Sequence, residues 1–476
     1  MIFDMNNICL ASDSYKMGHY KMYPEETTKV FSYLEARAGA KYNKTLFFGL
    51  QYLLKRYLEG QVVTKEKIQE AKRIIDVHLG PGVFNEDGWN HILDEHRGYL
   101  PVEIKAVPEG KLIPVGNVLM TVENTCDNSY WLTNYLESLL LHVWDSINVA
   151  TLTYEIRKMF KFYSNITCEN QDHLDFQLHD FGYRGASSHE SAIVGGSGHL
   201  LNFKGTDTVP ALLLPMNFYN SDVVGFSVAA TEHSVMTSLG QDGEMKVFKH
   251  ILDNTNGILS VVCDSYNDEQ FIRNCFDDEK FMIKPLSDFI LRDGNNKLVY
   301  RPDSGDPVTT TLKILNTMEE YIHVDKNSKG FKVLHSQFGV LFGDGLNYHK
   351  IRDILFALKN NGWATSNVVF GMGGGLHTDH NRDTQRFAFK SSAQYRNGKW
   401  FDIQKNPLDS TKKSKAGVLD LFKIDGEYKT VKVSNIEPVE FVDSVQTVPS
   451  QLNTVFKDGE LVYEYHWDEV KRNIND

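Results

Sequence analysis

Charged and polar side chains crowd both ends of one stretch of this sequence, Leu178–Thr208. The segment LHDFGYRG begins the stretch and places Asp180 and Arg184 after a short apolar run, and FKGTDT ends it with Lys204 and Asp207. Carboxylates and cationic groups at the end of a buried strand can bind the polar parts of a substrate. Each segment alone is equally compatible with an ordinary buried strand that is followed by turn residues.

The same arrangement, a short apolar run that stops at polar residues or glycine, recurs along the middle of the chain. Seven such runs follow one another between residues 176 and 375. After the first two, the runs end at Thr231-Glu232-His233, Asp264-Ser265, Arg301–Gly305, Gly343–Gly345 and Gly371–Gly375. Stretches long enough for a helix separate them, which is typical of a TIM-like α/β barrel. Because the carboxyl ends of barrel strands share one face, we expect these residues to meet in one site.

The residue types at these strand ends suit phosphate and ribose. The glycine loops GMGGG and Gly-Asp-Gly let backbone N–H groups approach an anion closely. The arginines suited to phosphoryl oxygens are Arg184, Arg301 and Arg382, and the acids suited to sugar hydroxyls, or to Mg²⁺ bridged by substrate phosphates, are Asp264, Asp303 and Asp344. Neither loop matches a standard nucleotide-binding pattern, and each side chain alone is equally compatible with strand capping or ion pairing. No set of side chains indicates a dedicated metal site.

The composition of the 476-residue chain is that of a soluble globular protein, with 41% hydrophobic and 24% charged residues. Its net charge of −12 argues against nucleic acid or an anionic membrane as the main partner. The five scattered cysteines show no zinc-ligand spacing and indicate a reducing compartment. The N-terminus is a poor signal peptide, and no apolar run has the length of a membrane helix. We therefore expect a cytoplasmic protein without a nucleic-acid or membrane partner.

The regions that flank the barrel pattern contain other elements. Residues Thr64–Leu79 predict a helix, because apolar side chains recur on one face and Gly80-Pro81 ends the pattern. Tyr130–Trp144 also has helical spacing. Near the C-terminus, three turn pairs predict β-hairpins, namely Asn397-Gly398, Asp425-Gly426 and Asp458-Gly459. The two ends of the chain are therefore predicted to be mixed α+β and β-rich.

Specific motifs, in their order along the chain, carry a resemblance to a known family. Near the N-terminus these motifs are DSYKMGHY and FFGLQY, and along the barrel pattern they are HDFGYRG, GTDT, TEHS, SVVCDSY, RPDSG, FGDG and GMGGG. Together they resemble the nicotinamide phosphoribosyltransferase family from Asp13 to the C-terminal VFKDGELV. The resemblance implies an irregular TIM-like α/β barrel at residues 146–389. It also implies a second, β-rich α+β domain formed from both chain ends, residues 1–145 and 390–476.

The family resemblance further implies a reaction and an assembly. The phosphoribosyl group of phosphoribosyl pyrophosphate would be transferred to nicotinamide, giving nicotinamide mononucleotide and pyrophosphate for NAD synthesis. Mg²⁺ would be bridged by the substrate phosphates, and ATP would be an optional co-substrate that phosphorylates His233. The protein would be a homodimer with active sites at the subunit interface.

Residue roles for the pyridine base follow from the same resemblance. The ring of nicotinamide would lie between Phe181 and Tyr15, with Tyr15 supplied by the other subunit. Asp207 would accept a hydrogen bond from the carboxamide NH₂ group and repel the acid nicotinate. Arg184 and Arg301 would be further contacts of the base.

A larger set of residues would contact the phosphoribosyl, diphosphate and mononucleotide groups. By the resemblance these are Arg37, Arg184, His233, Asp264, Arg301, Asp303, Gly343, Asp344, Gly373, Gly374, Arg382 and Lys390. Among them, His233, Arg301 and Asp303 would be catalytic.

Alternative functions remain open at this point. The first is nicotinate phosphoribosyltransferase, a sister enzyme, against which Asp207 argues. The second is a non-catalytic nucleotide-binding protein that has kept the fold. A barrel hydrolase or aldolase is disfavoured, because the sequence indicates neither a metal cage nor a Schiff-base lysine.

Overall fold

The computed structural model describes residues 4–277, 279, 282–292, 294–405, 414–433 and 448–475. The strands are, in chain order, β1 (Thr27–Ala36), β2 (Lys44–Leu46), β3 (Val102–Ala106), β4 (Leu112–Pro114), β5 (Val118–Asn124), β6 (Leu178–Asp180), β7 (Gly205–Thr206), β8 (Ala229–Ala230), β9 (Ile258–Val262), β10 (Lys297–Arg301), β11 (Val324–Lys326), β12 (Lys332–Leu334), β13 (Phe338–Phe342), β14 (Val368–Met372), β15 (Phe387–Arg396), β16 (Lys399–Asp402), β17 (Leu419–Ile424), β18 (Glu427–Lys432), β19 (Asn453–Lys457) and β20 (Glu460–Leu461).

The α-helices connect these strands. In chain order they are α1 (Leu50–Leu53), α2 (Lys65–His78), α3 (Glu86–Glu95), α4 (Leu132–Tyr135), α5 (Glu137–Leu140), α6 (Trp144–Thr167), α7 (His189–Leu200), α8 (Leu213–Phe218), α9 (His233–Met236), α10 (Gly240–Asn254), α11 (Asp268–Cys275), α12 (Ile283–Leu291), α13 (Pro307–Glu319), α14 (Tyr348–Asn360), α15 (Gly374–His377) and α16 (Trp467–Asn473). None of the helices in the described ranges is both long enough and apolar enough to cross a bilayer.

The chain divides into two compact units. Unit 1 comprises Met1–Thr151, Leu214–Ser221 and His380–Asp476, and unit 2 comprises Leu152–Leu213 and Asp222–Asp379. The predicted domain limits, at residues 145/146 and 389/390, stay a prediction. The short segment 214–221 belongs to unit 1, although the residues before and after it belong to unit 2. The hydrophobic pattern of the sequence did not indicate this assignment.

Unit 1 is built on an antiparallel sheet that combines both ends of the chain. The strand order is β16-β15-β1-β5-β3-β19-β20. Strand β1 pairs with β15 from Thr27 opposite Arg396 to Ala36 opposite Phe387, and its other edge pairs with β5. The β-rich domain predicted from both chain ends is therefore confirmed as a fold.

The three hairpins predicted near the C-terminus are confirmed. They connect β15 to β16, β17 to β18 and β19 to β20, each through a two-residue loop. The loop residues Asn397, Asp425 and Asp458 have φ of 49°, 52° and 50°, and the glycine after each also has positive φ. Positive φ at both loop positions is the geometry of the type I′ turn, which Asn-Gly and Asp-Gly adopt at low cost.

Two helix predictions in unit 1 have different outcomes. The helix expected at 64–79 is α2, and the Thr64 side chain caps it by accepting from the backbone N–H of Lys67. The stretch 130–144 does not form one helix but breaks into α4, α5 and a 3-10 turn before α6 begins. Its large rings pack on a neighbouring aromatic, with Trp131 and Tyr135 edge-on to Trp89 at centroid distances of 5.0 and 5.3 Å. Packing has overridden the local helical period here.

Unit 2 contains a parallel sheet that curls into a barrel. Its strand order is β7-β6-β14-β13-β10-β9-β8, and every pair is parallel. The two edges meet through Phe226, which lies just before β8 and pairs in parallel with Gly205 of β7. The backbone N–H of Phe226 donates to Lys204 at 2.7 Å, and its carbonyl accepts from Thr206 at 2.9 Å. The predicted TIM-like barrel is confirmed, and all seven apolar runs are its strands in the described part of the chain.

The centres of the longer barrel strands, β9, β10, β13 and β14, are largely apolar and buried because both faces of these strands are covered. Val261, Tyr300, Phe342 and Phe370 are completely buried. Polar residues follow where each strand ends, and several of them cap the next helix, as Asn347 does for α14. The loops that could carry chemistry are thus held between a buried strand and a capped helix.

Candidate active site

The carboxyl ends of the barrel strands surround a cleft of about 880 Å³ in unit 2. Nine of the residues predicted for substrate line this cleft, namely Phe181, Arg184, Asp207, Arg301, Asp303, Gly343, Asp344, Gly373 and Gly374. They come from five different strand ends, so the barrel brings together residues that are remote in sequence.

The aromatic ring of Phe181 packs closely against two glycines. A Cβ atom added at Gly371 would be 2.1 Å from the Phe181 ring, and one at Gly343 would be 3.3 Å from it. The backbone N–H of Phe181 also donates to the carbonyl of Met372 at 3.0 Å. Glycine at 371 is therefore required for the ring to sit at the cleft, whereas the sequence pattern indicated only an anion loop.

A buried hydrogen-bonded pair supports the loop that carries Phe181. Nε2 of His377 lies 2.9 Å from Oδ1 of Asp180, and the same oxygen accepts from the backbone N–H of Gly182 at 2.8 Å. Burial alone would raise the pKa of Asp180, but the hydrogen bond from His377 and the charge of that ring bring it below its usual value. No motif in the sequence indicated His377, because its partner is 197 positions away.

Asp207 presents an exposed carboxylate to the cleft. Its backbone N–H donates to the carbonyl of Asp180 at 2.9 Å, and the hydroxyl of Ser227 donates to its Oδ1 atom. Ser227 was missed from the sequence, where it appears only as one hydroxyl inside the apolar run VVGFSVAA. A carboxylate held at this rim can accept a hydrogen bond from an amide NH₂ group.

One terminal nitrogen of the Arg301 guanidinium is held by a hydrogen bond. Nη2 donates to the carbonyl of Thr231 at 2.8 Å, while the buried Nε atom has no partner among the described residues. The group therefore keeps donors for an anionic ligand in the cleft.

Asp264 connects His233 to the segment after β10. Its Oδ1 atom is 3.1 Å from Nε2 of His233, and its Oδ2 atom accepts from the backbone N–H of Asp303 at 3.1 Å and the hydroxyl of Ser304 at 2.5 Å. Neither His233 nor Asp264 lines the cleft itself, but both adjoin residues that do, Glu232 and Asp303. The His233 side chain is 47% exposed, so it is accessible to a ligand.

The carboxylates near Arg301 could contribute ligands to a metal ion that is also bound by substrate phosphates. Burial raises the pKa of Asp303, the charge of Arg301 opposes this, and the carboxylates of Asp264 and Asp344 raise it further. Crowded carboxylates of this kind are relieved by a divalent cation. Within the described residues, these three do not bring ligand atoms close enough to form a site alone. The donor set therefore fits Mg²⁺ that takes most of its ligands from phosphates and water.

The remaining predicted residues belong to unit 1. Arg37, Arg382 and Lys390 line a second cleft of about 270 Å³, which also contains Glu137. Burial lowers the pKa of Lys390, and the carboxylate of Glu137, 3.8 Å from Nζ, opposes that shift. Tyr15 is not part of this cleft, and its ring is 62% exposed. Three cations are thus gathered at one cleft of unit 1.

Comparison with known proteins gives consistent results. Residues 176–460 match the nicotinate phosphoribosyltransferase (NAPRTase) family, and residues 7–104 match the nicotinamide phosphoribosyltransferase N-terminal domain. A nicotinamide phosphoribosyltransferase of Xanthomonas campestris pv. campestris (strain 8004) is 39% identical over 99% of this chain and 98% of its own. One of Acinetobacter baylyi is 32% identical over 98% of this chain and 96% of its own.

Solved structures share the fold at low sequence identity. The nicotinate-nucleotide pyrophosphorylase from Pyrococcus furiosus aligns over 100% of this chain and 96% of its own, with a TM-score of 0.60 and 15% identity. This likeness concerns the fold alone.

Proposed function

Because this chain belongs to the nicotinamide phosphoribosyltransferase family, we propose that it transfers a phosphoribosyl group from phosphoribosyl pyrophosphate to nicotinamide. The products are nicotinamide mononucleotide, which serves NAD synthesis, and pyrophosphate. One observation carries the proposal: a single cleft has an aromatic ring and a carboxylate for the base, and an arginine, acids and glycines for the sugar and phosphates.

The base is bound by its ring and by its amide. Phe181, backed by Gly371, stacks on the pyridine ring, which contributes on the order of 1 kcal/mol beyond burial. The carboxylate of Asp207 accepts from the carboxamide NH₂ group, with Ser227 holding one of its oxygens. Nicotinate would bring a second negative charge to the same place, so Asp207 favours the amide.

The phosphoribosyl group occupies the rest of the same cleft. Arg301 and Arg184 donate to phosphoryl oxygens, Asp303 and Asp344 accept from ribose hydroxyls, and the backbone at Gly373 approaches the 5′-phosphate. Asp303 and Asp344 would also hold Mg²⁺ together with the substrate phosphates, and this ion would supply positive charge against the departing pyrophosphate.

The reaction needs orientation and charge more than proton transfer. Breakage of the bond between ribose C1 and pyrophosphate leaves a ribose with oxocarbenium character, and the carboxylate of Asp303 favours that charge. Stacking on Phe181 aims the pyridine nitrogen at C1. The nitrogen of neutral nicotinamide carries no proton, so no general base is required.

His233 is the residue proposed to accept a phosphoryl group from ATP. The hydrogen bond between its Nε2 atom and Asp264 orients the ring and leaves the other nitrogen for attack on a γ-phosphoryl group. We expect His233→Ala to abolish ATP hydrolysis and its stimulation of the transferase, while transfer without ATP persists. Acid-labile ³²P incorporation from γ-labelled ATP, measured on wild type and His233→Ala, tests this role. Equal incorporation in the variant would exclude His233.

The assembly is proposed to be a cytoplasmic homodimer with shared active sites. The exposed ring of Tyr15 would then close the base site of the other subunit, and the cleft with Arg37, Arg382 and Lys390 would receive phosphates there. Sedimentation of the protein, and activity of a mixture of Tyr15→Ala and Arg301→Ala subunits, would test this. Partial recovery of activity in the mixture is expected from shared sites only.

The deciding experiment offers nicotinamide and nicotinate separately, with phosphoribosyl pyrophosphate and Mg²⁺. Wild type should form nicotinamide mononucleotide and little of the nicotinate product, and Asp207→Ser should erode that preference. Asp222→Ser, which changes an exposed aspartate outside the cleft, is the matched control and should behave as wild type.

The alternative activity is that of a nicotinate phosphoribosyltransferase. The match to the NAPRTase family is the reason to test it. Preference of the wild type for nicotinate in the same assay would establish it and overturn the role of Asp207. Tight ligand binding without any product would instead indicate a non-catalytic protein.

A further inference from the structure

Two histidines and a cysteine meet in unit 1, and none of the three is among the residues proposed for the transferase. His91 lies on α3, His96 caps the C-terminus of that helix, and Cys126 follows β5 by two residues. Their ligand atoms all lie within 4.8 Å of one another, and the three side chains are half-buried. Nε2 of His91 is 3.4 Å from Sγ of Cys126.

This spacing matches what a tetrahedral metal requires. With Zn–N and Zn–S bonds of about 2.0 and 2.3 Å, two ligands at a tetrahedral angle lie about 3.5 Å apart. The His91–Cys126 pair already has that separation, so only a small movement of the His96 ring is needed to complete three ligands. The sequence did not indicate this cluster, because its members are up to 35 positions apart and follow no CxxC pattern.

The surroundings bring a second ring and a negative charge to the cluster. The rings of His91 and His96 lie edge-on to each other, with their centroids 5.6 Å apart. Asp458 adds negative charge beside His96, and its carboxylate accepts from the hydroxyl of Thr125. Cys126 is the only cysteine of the chain that is not buried, and all five lie in the described residues.

We propose that His91, His96 and Cys126 bind Zn²⁺ or a chemically similar transition-metal ion, with water as the fourth ligand. The bound ion ties the C-terminal end of α3 to the segment after β5 and stabilises unit 1. One thiolate and two imidazoles select such metals over Mg²⁺, which prefers oxygen ligands. The site is therefore independent of the Mg²⁺ used with the substrate phosphates.

Cobalt serves as the spectroscopic probe for the site. Full-length protein without an affinity tag, treated with chelator and kept in a thiol-free reductant, is titrated with Co²⁺. We expect one equivalent to produce a thiolate-to-cobalt charge-transfer band and tetrahedral visible bands, and Zn²⁺ to displace them. Cys126→Ser should lose the charge-transfer band, and His96→Gln should weaken binding. His323→Gln, which changes an exposed histidine outside the cluster, is the matched control.

Two results would overturn the proposal: absence of the charge-transfer band in wild type, or its persistence in Cys126→Ser. A thermal measurement provides a second readout. Zn²⁺ should raise the unfolding temperature of wild type and not that of Cys126→Ser, and equal shifts would exclude a stabilising role for this site. Phosphoribosyl transfer with Mg²⁺ should be the same in both proteins, so the outcome does not depend on the proposed function.

Discussion

His377 and Asp180 form a hydrogen-bonded pair whose side chains are 2% and 0% exposed, with Nε2 and Oδ1 separated by 2.9 Å. Asp180 ends strand β6 and His377 ends the short helix α15, so the pair joins two loops of the cleft. Phe181 lies directly between Asp180 and Gly182, and the Asp180 carboxylate accepts from the backbone N–H of Gly182. The position of the stacking ring therefore depends on groups that do not touch the substrate.

Removal of the Asp180 carboxylate should destabilise the protein strongly. Asp180→Ala leaves the buried His377 ring and the backbone N–H of Gly182 without this acceptor, and each buried donor left unsatisfied costs about 1–3 kcal/mol. Urea unfolding at pH 7 measures the loss. Asp222→Ala, at an exposed site, should change the free energy of unfolding little. If Asp180→Ala lowers the free energy of unfolding by less than about 1 kcal/mol, the pair does not stabilise the loop that contains Phe181.

Ser227 should affect nicotinamide selectively. In Ser227→Ala the Asp207 carboxylate loses a donor that holds it, which corresponds to about 0.5–1.5 kcal/mol, or about a 2- to 10-fold rise in KM for nicotinamide. The KM for phosphoribosyl pyrophosphate should not change. Steady-state kinetics decide this, with Ser238→Ala, an exposed serine on the same unit, as control. Equal effects on both KM values would show a general disturbance instead.

A methyl group at residue 371 should displace the stacking ring. Gly371→Ala places Cβ 2.1 Å from the ring of Phe181, which the rigid strand β14 cannot relieve without moving that ring. We expect nicotinamide turnover to fall by at least about tenfold, which corresponds to a rise of roughly 1.4 kcal/mol in the activation free energy when the pyridine ring is no longer oriented. In a Phe181→Ala background the same substitution should have almost no further effect, and the double-mutant cycle measures this coupling. Additive losses would contradict the contact.

Acid should destabilise the barrel through His199. This fully buried ring faces the carbonyl of Gly205 at 2.8 Å, and burial lowers its pKa from 6.5 to about 4. The pKa of His199 is lower in the folded protein than in the unfolded chain, so the unfolded chain takes up a proton first as the pH falls. The contribution of neutral His199 to folding stability is therefore complete above pH 6.5 and is lost as the pH falls towards 4. Between pH 7 and pH 5 the loss from this residue is about 2 kcal/mol.

The variant that tests this pH dependence is His199→Gln, whose amide still donates to Gly205 but does not titrate. Urea unfolding at pH 7 and pH 5 should show a smaller loss of stability for His199→Gln than for wild type. Parallel losses in the two proteins would assign the acid sensitivity to other groups.

The barrel and much of the cleft could be predicted because their signals are local. Each strand is an apolar run that ends at polar residues, and each I′ turn has its Asn-Gly or Asp-Gly pair, so short windows of sequence contain the information. Parallel strand ends share one face, which places Asp207, Arg301 and Asp303 together without knowledge of any contact.

The features that could not be predicted depend on contacts between distant residues. Ser227 reaches Asp207 from a different strand end, and His377 reaches Asp180 across 197 positions. The stretch 130–144 has a helical period, yet the packing of its rings on Trp89 determines a broken path. Hydrophobic spacing describes one segment at a time, so it does not contain these pairings.

The interior position of β1 in its sheet, between β15 and β5, has a consequence for synthesis of the chain. Its partner β15 lies 360 positions later, as measured between Phe31 and Ser391. At about 5–20 residues per second, a ribosome needs about 20–70 s to make that interval. During this time one edge of β1 is unpaired, and unpaired edges attract other strands. The nascent chain therefore has a period in which holdase chaperones would protect its N-terminal region, well before any substrate can be bound.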